Sequence, residues 1–232
     1  MIPSEPTSIF KDSWSLYDLI TKFNYMFHDE IYAEVGKLLR LKGEQGRYCI
    51  LDLGCGNARY LAPCLKQAPP LVYEGVDLSE AALGEARGYL TGLPSEITLT
   101  HQDMLAAIES TSRTWDVVFT GFAIHHMTSD EKARFFAAAA RCLAQGGWLI
   151  MVDVVREENQ SRKDYLDQYL KFMRDHWTGV PPNQLEEACA HVRDHDHPES
   201  LTTLRAMATK AGFNSARVVI REAQHHVILF SR

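Results

Sequence analysis

The chain has 232 residues, 46% of them hydrophobic, with 24 Lys and Arg against 30 Asp and Glu and a net charge of −6. That apolar content suffices for one large core with small appendages, and the charge leaves neither a basic footprint for nucleic acid nor a Lys/Arg run for a membrane surface. No apolar run approaches the ~18 residues that span a bilayer, and Met1-Ile2-Pro3-Ser4-Glu5-Pro6 lacks the basic start and apolar core of a signal peptide, so a cytoplasmic location is expected. The five cysteines are an odd number without a C-x-x-C pair, which indicates neither a disulfide framework nor a zinc-thiolate site.

In chain order, Leu16, Ile20, Phe23 and Phe27, then Ile31, Val35 and Leu38, recur at helical spacing and predict a pair of helices within residues 1–46. The next stretch, Cys49-Ile50-Leu51-Asp52-Leu53-Gly54-Cys55-Gly56-Asn57, is an apolar strand that delivers an acid and then two glycines spaced G-x-G. A backbone turning sharply at the end of a buried strand needs residues without Cβ, and such a turn reads as a nucleotide-type cofactor site. The dinucleotide fingerprint wants a third glycine where Arg59 stands, which disfavours a nicotinamide or flavin dinucleotide. Cys55 between the glycines reads as a small packing residue.

A helix over Ala58–Ala68 leads to the strand Leu71-Val72-Tyr73-Glu74-Gly75-Val76, which ends at Asp77, 21 residues beyond Gly56. An acid at that place can grip a ribose diol. The strand Ile97–Thr100 runs into His101-Gln102-Asp103-Met104, and Trp115–Thr120 runs into Gly121-Phe122-Ala123-Ile124-His125-His126-Met127. Thr128-Ser129-Asp130-Glu131 has the form of a capping box, opening a helix that runs through Phe135-Phe136 to Leu143 and stops at Gly146-Gly147 before the strand Trp148–Asp153. In residues 156–199, Tyr165, Tyr169, Met173 and Trp177 mark one aromatic helix face, broken at Gly179-Val180-Pro181-Pro182-Asn183. Such stripes pack on the sheet or on each other, or wall a substrate pocket. A helix over Leu201–Ala211 stopped by Gly212 and two strands, Ala216–Ile220 and His226–Phe230, close the chain.

The form Asp-x-Gly-x-Gly at Asp52, Gly54 and Gly56 resembles motif I of the class I S-adenosylmethionine-dependent methyltransferases, and Asp77, Asp103-Met104 and the segment after Thr120 match the family at three further places. The resemblance is strong over roughly 48–155 and moderate over 200–232. It implies an α/β fold: a Rossmann-like doubly wound sheet of seven strands, mostly parallel with an antiparallel last strand. One domain is expected over 1–232, divided into an N-terminal helical cap (1–46), a cofactor-binding core (47–155), a helical insert (156–199) and a final helix with closing hairpin (200–232). S-adenosylmethionine is the implied cofactor, with Asp52, Gly54, Cys55 and Gly56 around its methionine portion, Asp77 and Leu78 at ribose, Asp103 and Met104 at adenine, and Gly121 and Phe122 near the methionine end.

The expected reaction is methyl transfer to a small-molecule acceptor. Gly121-Phe122-Ala123-Ile124 departs from the Asn/Asp-Pro-Pro-Tyr form used on amino groups of planar bases and amides, which puts that acceptor type in doubt. The alternative is a module, or a non-methylating relative, with the same pocket. His126 leads the candidates for a general base, followed by His125 and Asp153, all at the ligand edge of the sheet. Tyr17, Tyr25, His28, Tyr169, Trp177 and His225 are the candidate acceptor contacts. His191 and His195 are spaced i, i+4, but Val192 stands where a zinc hydrolase needs its glutamate base, so no metal is expected. Residues 194–199 read as a polar turn, with Pro198 and Ser200 marking the start of the last helix, or as a segment near the substrate.

Overall fold

The structure, a computed structural model, describes residues 14–232, apart from the side chains of Trp14, Ser15, Tyr17 and Asp18. Its helices are α1 (Trp14–Lys22), α2 (His28–Gln45), α3 (Leu61–Gln67), α4 (Glu80–Tyr89), α5 (Met104–Ser110), α6 (Ser129–Cys142), α7 (Arg162–His176), α8 (Pro182–His195) and α9 (Leu201–Ala211). The strands are β1 (Cys49–Leu53), β2 (Val72–Asp77), β3 (Glu96–His101), β4 (Trp115–Gly121), β5 (Leu143–Val154), β6 (Ser215–Glu222) and β7 (His225–Ser231). They form one seven-stranded sheet in the order β3-β2-β1-β4-β5-β7-β6. Pairing is parallel from β3 through β5, whereas β7 runs antiparallel to both β5 and β6.

The order reverses between β1 and β4, where the first crossover runs outward through β2 and β3 and the chain then returns to the other side. Ligands of open α/β sheets bind beyond the carboxyl ends of the strands at such a point. Alternation along β1 shows how the layers are made: Leu51 and Leu53 face one side, with Phe135 and Phe136 of α6 and Leu204 of α9, while Ile50 faces the other, with Ile31, Val35 and Leu39 of α2 and Leu65 of α3. Each of these fully buried side chains contributes roughly 1.5–3 kcal/mol of transfer free energy. A third cluster lies apart from the two faces, where Leu16 and Ile20 of α1 pack with Tyr165, Tyr169 and Met173 of α7 and with Ala188 and Cys189 of α8.

Local chemistry sets the helix ends. Thr128 and Glu131 form a reciprocal capping box on α6, and Ser79, Asp103, Ser161 and Ser200 each accept a backbone N–H at the starts of α4, α5, α7 and α9. Two differences from the sequence reading stand out. Helix α6 ends at Cys142 and β5 begins at Leu143 rather than Trp148; the pairing jumps from Trp115↔Leu143 to Val117↔Trp148, so the glycine pair sits in a bulge and not in a helix stop. The two N-terminal helices also part company: α2 packs on the sheet, and α1 packs with the insert.

Candidate active site

A cavity of about 770 Å³ opens over the carboxyl ends of β1, β2 and β4 and extends under α1, α7 and α8. At the tip of β1, the amides of Gly54 and Cys55 both donate to the Val76 carbonyl, at 2.9 and 3.0 Å, tying the turn to β2. Gly54 (φ 72°) is needed for packing, because a Cβ there would lie 2.7 Å from that of Ala123 in the loop after β4. Gly56 (φ 51°) is different: a Cβ would meet no protein atom within 4 Å and would project into open space. The turn is therefore a bare cradle at Gly56.

Asp77 Oδ2 accepts the Gly56 N–H at 2.8 Å and Oδ1 accepts the Ser79 N–H at 2.8 Å, which fixes the carboxylate beside the cradle. Burial raises its pKa, against those same backbone hydrogen bonds, which favour the charged form. Asp52 is buried at the end of β1. Its Oδ2 accepts the Tyr73 hydroxyl at 2.7 Å, Oδ1 has no hydrogen-bond partner, and burial pushes the carboxyl up to about 7. Asp103 caps α5 through Oδ1, accepting from Ala106 N at 2.8 Å, and stands in the cavity lining with Leu78 and Met104. These donors and acceptors fit S-adenosylmethionine: an unsatisfied acid for an ammonium, a fixed carboxylate for a diol, and an open glycine turn between them.

The other end of the cavity has a polar floor. His125 is pinned from two sides by Asp153: its backbone N–H donates to Oδ2 at 2.9 Å and its Nδ1–H to Oδ1 at 2.5 Å. Its Nε2 faces Asp196 Oδ1 at 3.8 Å, and His126 Nδ1 lies 3.5 Å from the same oxygen. Burial disfavours the imidazolium of His125, but the Asp153 and Asp196 carboxylates outweigh it and raise its pKa to about 9. Burial together with the neighbouring His125 and His191 holds His126 well below its ordinary value, so that ring is neutral. His125, His126 and Asp196 bring ligand atoms within 4.8 Å of one another, a spacing open to a metal. His125 gives its Nδ1–H to Asp153, so Nε2 is the nitrogen it would turn to a metal there.

Asp196 is not among the candidate site residues that the sequence offers; it falls in the segment read as a polar turn. The segment taken for a polar turn is drawn inward: the His197 N–H donates to the His125 carbonyl at 2.6 Å, Lys132 of α6 donates to the His197 and Met127 carbonyls, and Ser129 bonds Glu199. Lys132 is only 1% exposed. It lies one turn before Phe135 and Phe136, on the apolar face of α6, and a lysine in that register was the available signal.

Of the candidate acceptor contacts, Tyr169 and Trp177 line the cavity together with His125 and His126. Tyr25, His28, His225 and Asp153 lie outside its lining. Tyr25 stacks on Trp177, with ring centroids 5.6 Å apart, and its hydroxyl accepts the Gly179 N–H at 2.6 Å. His28 stacks on Tyr60 at 4.5 Å, and burial lowers it to about 3. His225 packs against Phe122 and hydrogen-bonds the Tyr169 hydroxyl through Nε2 at 3.1 Å. The side chain of Tyr17 falls outside the described ones.

A glycine turn after β1, an acid at the tip of β2 and a seven-stranded sheet whose last strand is antiparallel define the class I S-adenosylmethionine-binding fold. A family profile described as a methyltransferase domain matches residues 50–147. The chain is 26% identical over 145 residues to an uncharacterised methyltransferase of Bacillus cytotoxicus (62% of this chain, 65% of that one). It is 33% identical over 100 residues to trans-aconitate 2-methyltransferase of Acidovorax sp. strain JS42 (43% and 36%). The chain thus spans less than two thirds of the length of each of these curated relatives. Among solved structures, magnesium protoporphyrin IX methyltransferase from Synechocystis PCC 6803, with bound S-adenosylhomocysteine, superposes with a TM-score of 0.66 at 18% identity, covering 92% of this chain and 87% of that one. Residues 50–147 match the methyltransferase domain family, and the described residues have the fold of the class I S-adenosylmethionine-dependent methyltransferases. No helix among the described residues is long and apolar enough to cross a membrane.

Proposed function

We propose that this protein moves a methyl group from S-adenosylmethionine to a small-molecule acceptor. The observation that carries the reading is the continuity of one cavity, from the bare turn at Gly56 and the unsatisfied Asp52 to the floor at His125, His126 and Asp196. When bound, the cofactor supplies an electrophilic methyl group on a sulfonium.

The protein's own work is then mostly positioning, since holding the attacking atom and the methyl carbon in a near-attack arrangement supplies several kcal/mol. Asp77 would hold the ribose hydroxyls, Asp52 the ammonium, and Asp103 with Met104 the adenine. Gly121 and Phe122, after β4, border the passage between cofactor and acceptor. Asp153 orients His125, and the neutral His126 forms the wall beside the attacking atom. Helices α1, α7 and α8 exclude water from that side, which the acceptor must lose before it can approach.

Calorimetry with S-adenosylmethionine and S-adenosylhomocysteine, followed by incubation of methyl-labelled cofactor with a metabolite extract, tests the proposal. Binding of both and label in a small product support it. Tight binding without transfer supports the module or non-methylating relative, and absence of binding defeats both readings.

A further inference from the structure

We infer that the acceptor is an alcohol or amine on an apolar body, not a carboxylic acid, and that Asp196 selects it by taking a hydrogen bond from the attacking atom. The inference rests on the cavity being a methyltransferase site.

Asp196 lines the cavity, is 3% exposed, and its Oδ1 has no hydrogen-bond partner. The nearest ring nitrogens stand at 3.5 and 3.8 Å, beyond hydrogen-bonding range. His125 cannot turn to close that gap, because its backbone N–H and its Nδ1 are both held by Asp153. A buried acceptor oxygen left in this state is costly, and a ligand O–H or N–H relieves it.

Charge narrows the class. The lining includes Asp52, Asp77, Asp103, Glu131 and Asp196, and among the described lining residues Arg59 is the one arginine or lysine. Arg59 follows the glycine turn by three residues, and its guanidinium reaches Thr21 Oγ1 of α1 at 3.4 Å. A carboxylate acceptor would therefore meet these carboxyl groups offset only by Arg59 and by a His125 imidazolium that Asp153 and Asp196 already face from both sides. Above the floor the walls are Leu16, Ile20, Met173, Ala188 and Val192, with Trp177, whose Nε1–H is also buried without a partner and can serve an acceptor oxygen on the ligand's body.

In the step, a lone pair on the acceptor's oxygen or nitrogen forms the bond to the methyl carbon and the carbon–sulfur bond breaks with its electron pair staying on sulfur; an alcohol's proton passes to Asp196 Oδ1, whereas an amine, bound with its lone pair free, keeps its protons as an ammonium paired with Asp196. Burial raises the Asp196 carboxyl to about 6, close enough to neutrality to hold that proton transiently.

Calorimetry on the full chain loaded with S-adenosylhomocysteine, using 3-phenylpropan-1-ol, 3-phenylpropylamine and 3-phenylpropionate as matched probes, is the test. The alcohol and amine should bind at least about tenfold tighter than the acid. Asp196→Asn should bring the three to within roughly threefold of one another while the affinity for S-adenosylhomocysteine stays as in the parent. An acid that binds as tightly as the alcohol, no binding by any probe, or an unchanged preference in Asp196→Asn overturns the inference. So does probe binding that a chelator abolishes and Zn²⁺ restores, which would make His125, His126 and Asp196 a metal site. Failure of the parent to bind S-adenosylhomocysteine would instead defeat the methyltransferase reading itself, so the two failures are distinguishable.

Discussion

Replacing Asp77 by alanine should damage both cofactor affinity and the fold of the empty protein, and the two losses have separate causes. The carboxylate accepts the Gly56 N–H and the Ser79 N–H, each at 2.8 Å, so its removal leaves two backbone donors to find water or go unmet. Each donor that stays unsatisfied costs about 1–3 kcal/mol, and one of them belongs to a residue already held at φ 51°. The ribose diol would lose a charged acceptor as well, worth about 1.5–3 kcal/mol, or roughly 10- to 150-fold in Kd. Asp77→Asn keeps one acceptor oxygen but turns an amide group toward the other backbone donor, and its affinity should fall between parent and alanine. Calorimetric titration with S-adenosylhomocysteine, read beside thermal melts without ligand, separates the terms. An alanine variant that binds within twofold of the parent would refute the assignment of Asp77 to ribose, and one that melts with the parent would refute its role in bracing the glycine turn.

Three further outcomes are expected. Gly54→Ala should lower the melting temperature more than Gly56→Ala, since both are strained by a positive φ but only the Cβ at residue 54 falls 2.7 Å from that of Ala123, while Gly56→Ala, whose Cβ projects into open space, should weaken cofactor binding; equal melting temperatures would refute the contrast. His125 has a folded-state pKa of about 9 against 6.5 when unfolded, so its contribution to stability is fully present below pH 6.5 and is lost as pH rises through 9; by linkage about 2 kcal/mol should disappear between pH 7.5 and 10 in the parent, relative to His125→Gln, and parallel pH–stability curves would contradict it. Hydrogen exchange in residues 14–32 and 161–178 should slow when S-adenosylhomocysteine is added, since α1, α7 and α8 close one side of the cavity; protection confined to the glycine turn and the tips of β2 and β3 would leave those helices as ordinary packing.

The cofactor half of the site was legible because its chemistry is local. A glycine turn, an acid two residues before it and an acid at the next strand's tip each follow from a few consecutive residues, and the parallel topology then brings them to one edge. The acceptor half depends on contacts between residues far apart in the chain. Asp196 reads as one more polar residue in Asp194-His195-Asp196-His197, and its burial comes from Lys132 and Ser129 on α6 reaching back to the segment that holds it. Tyr25, His28 and His225 were drawn toward the ligand by topology, and the register did bring His225 opposite Val154 at the sheet's edge. Aromatic rings then stacked between them and the cavity: Phe122 lies against both histidines, and Trp177 against Tyr25. Sequence periodicity places a residue on a face but does not say how many layers of side chain lie beyond it.

The two halves meet at His125, and that junction decides what in this protein can vary. Its backbone N–H and its ring are fixed by Asp153 at the end of β5, an element of the sheet, while its carbonyl receives the His197 N–H from the segment that closes the insert. The position of Asp196 over the floor is thus set by the last residues of the insert, and those are anchored in turn by Lys132, by Arg156, which donates to the Pro198 carbonyl, and by Ser200 capping α9. The helices between these anchors contribute mainly apolar walls. On the proposed function their side chains could change to fit a different acceptor body without moving the floor, whereas a shift of residues 196–200 would displace Asp196. On the proposed function, specificity for the shape of the acceptor would lie in α1, α7 and α8 and specificity for its reacting group in five residues docked on the loop after β4.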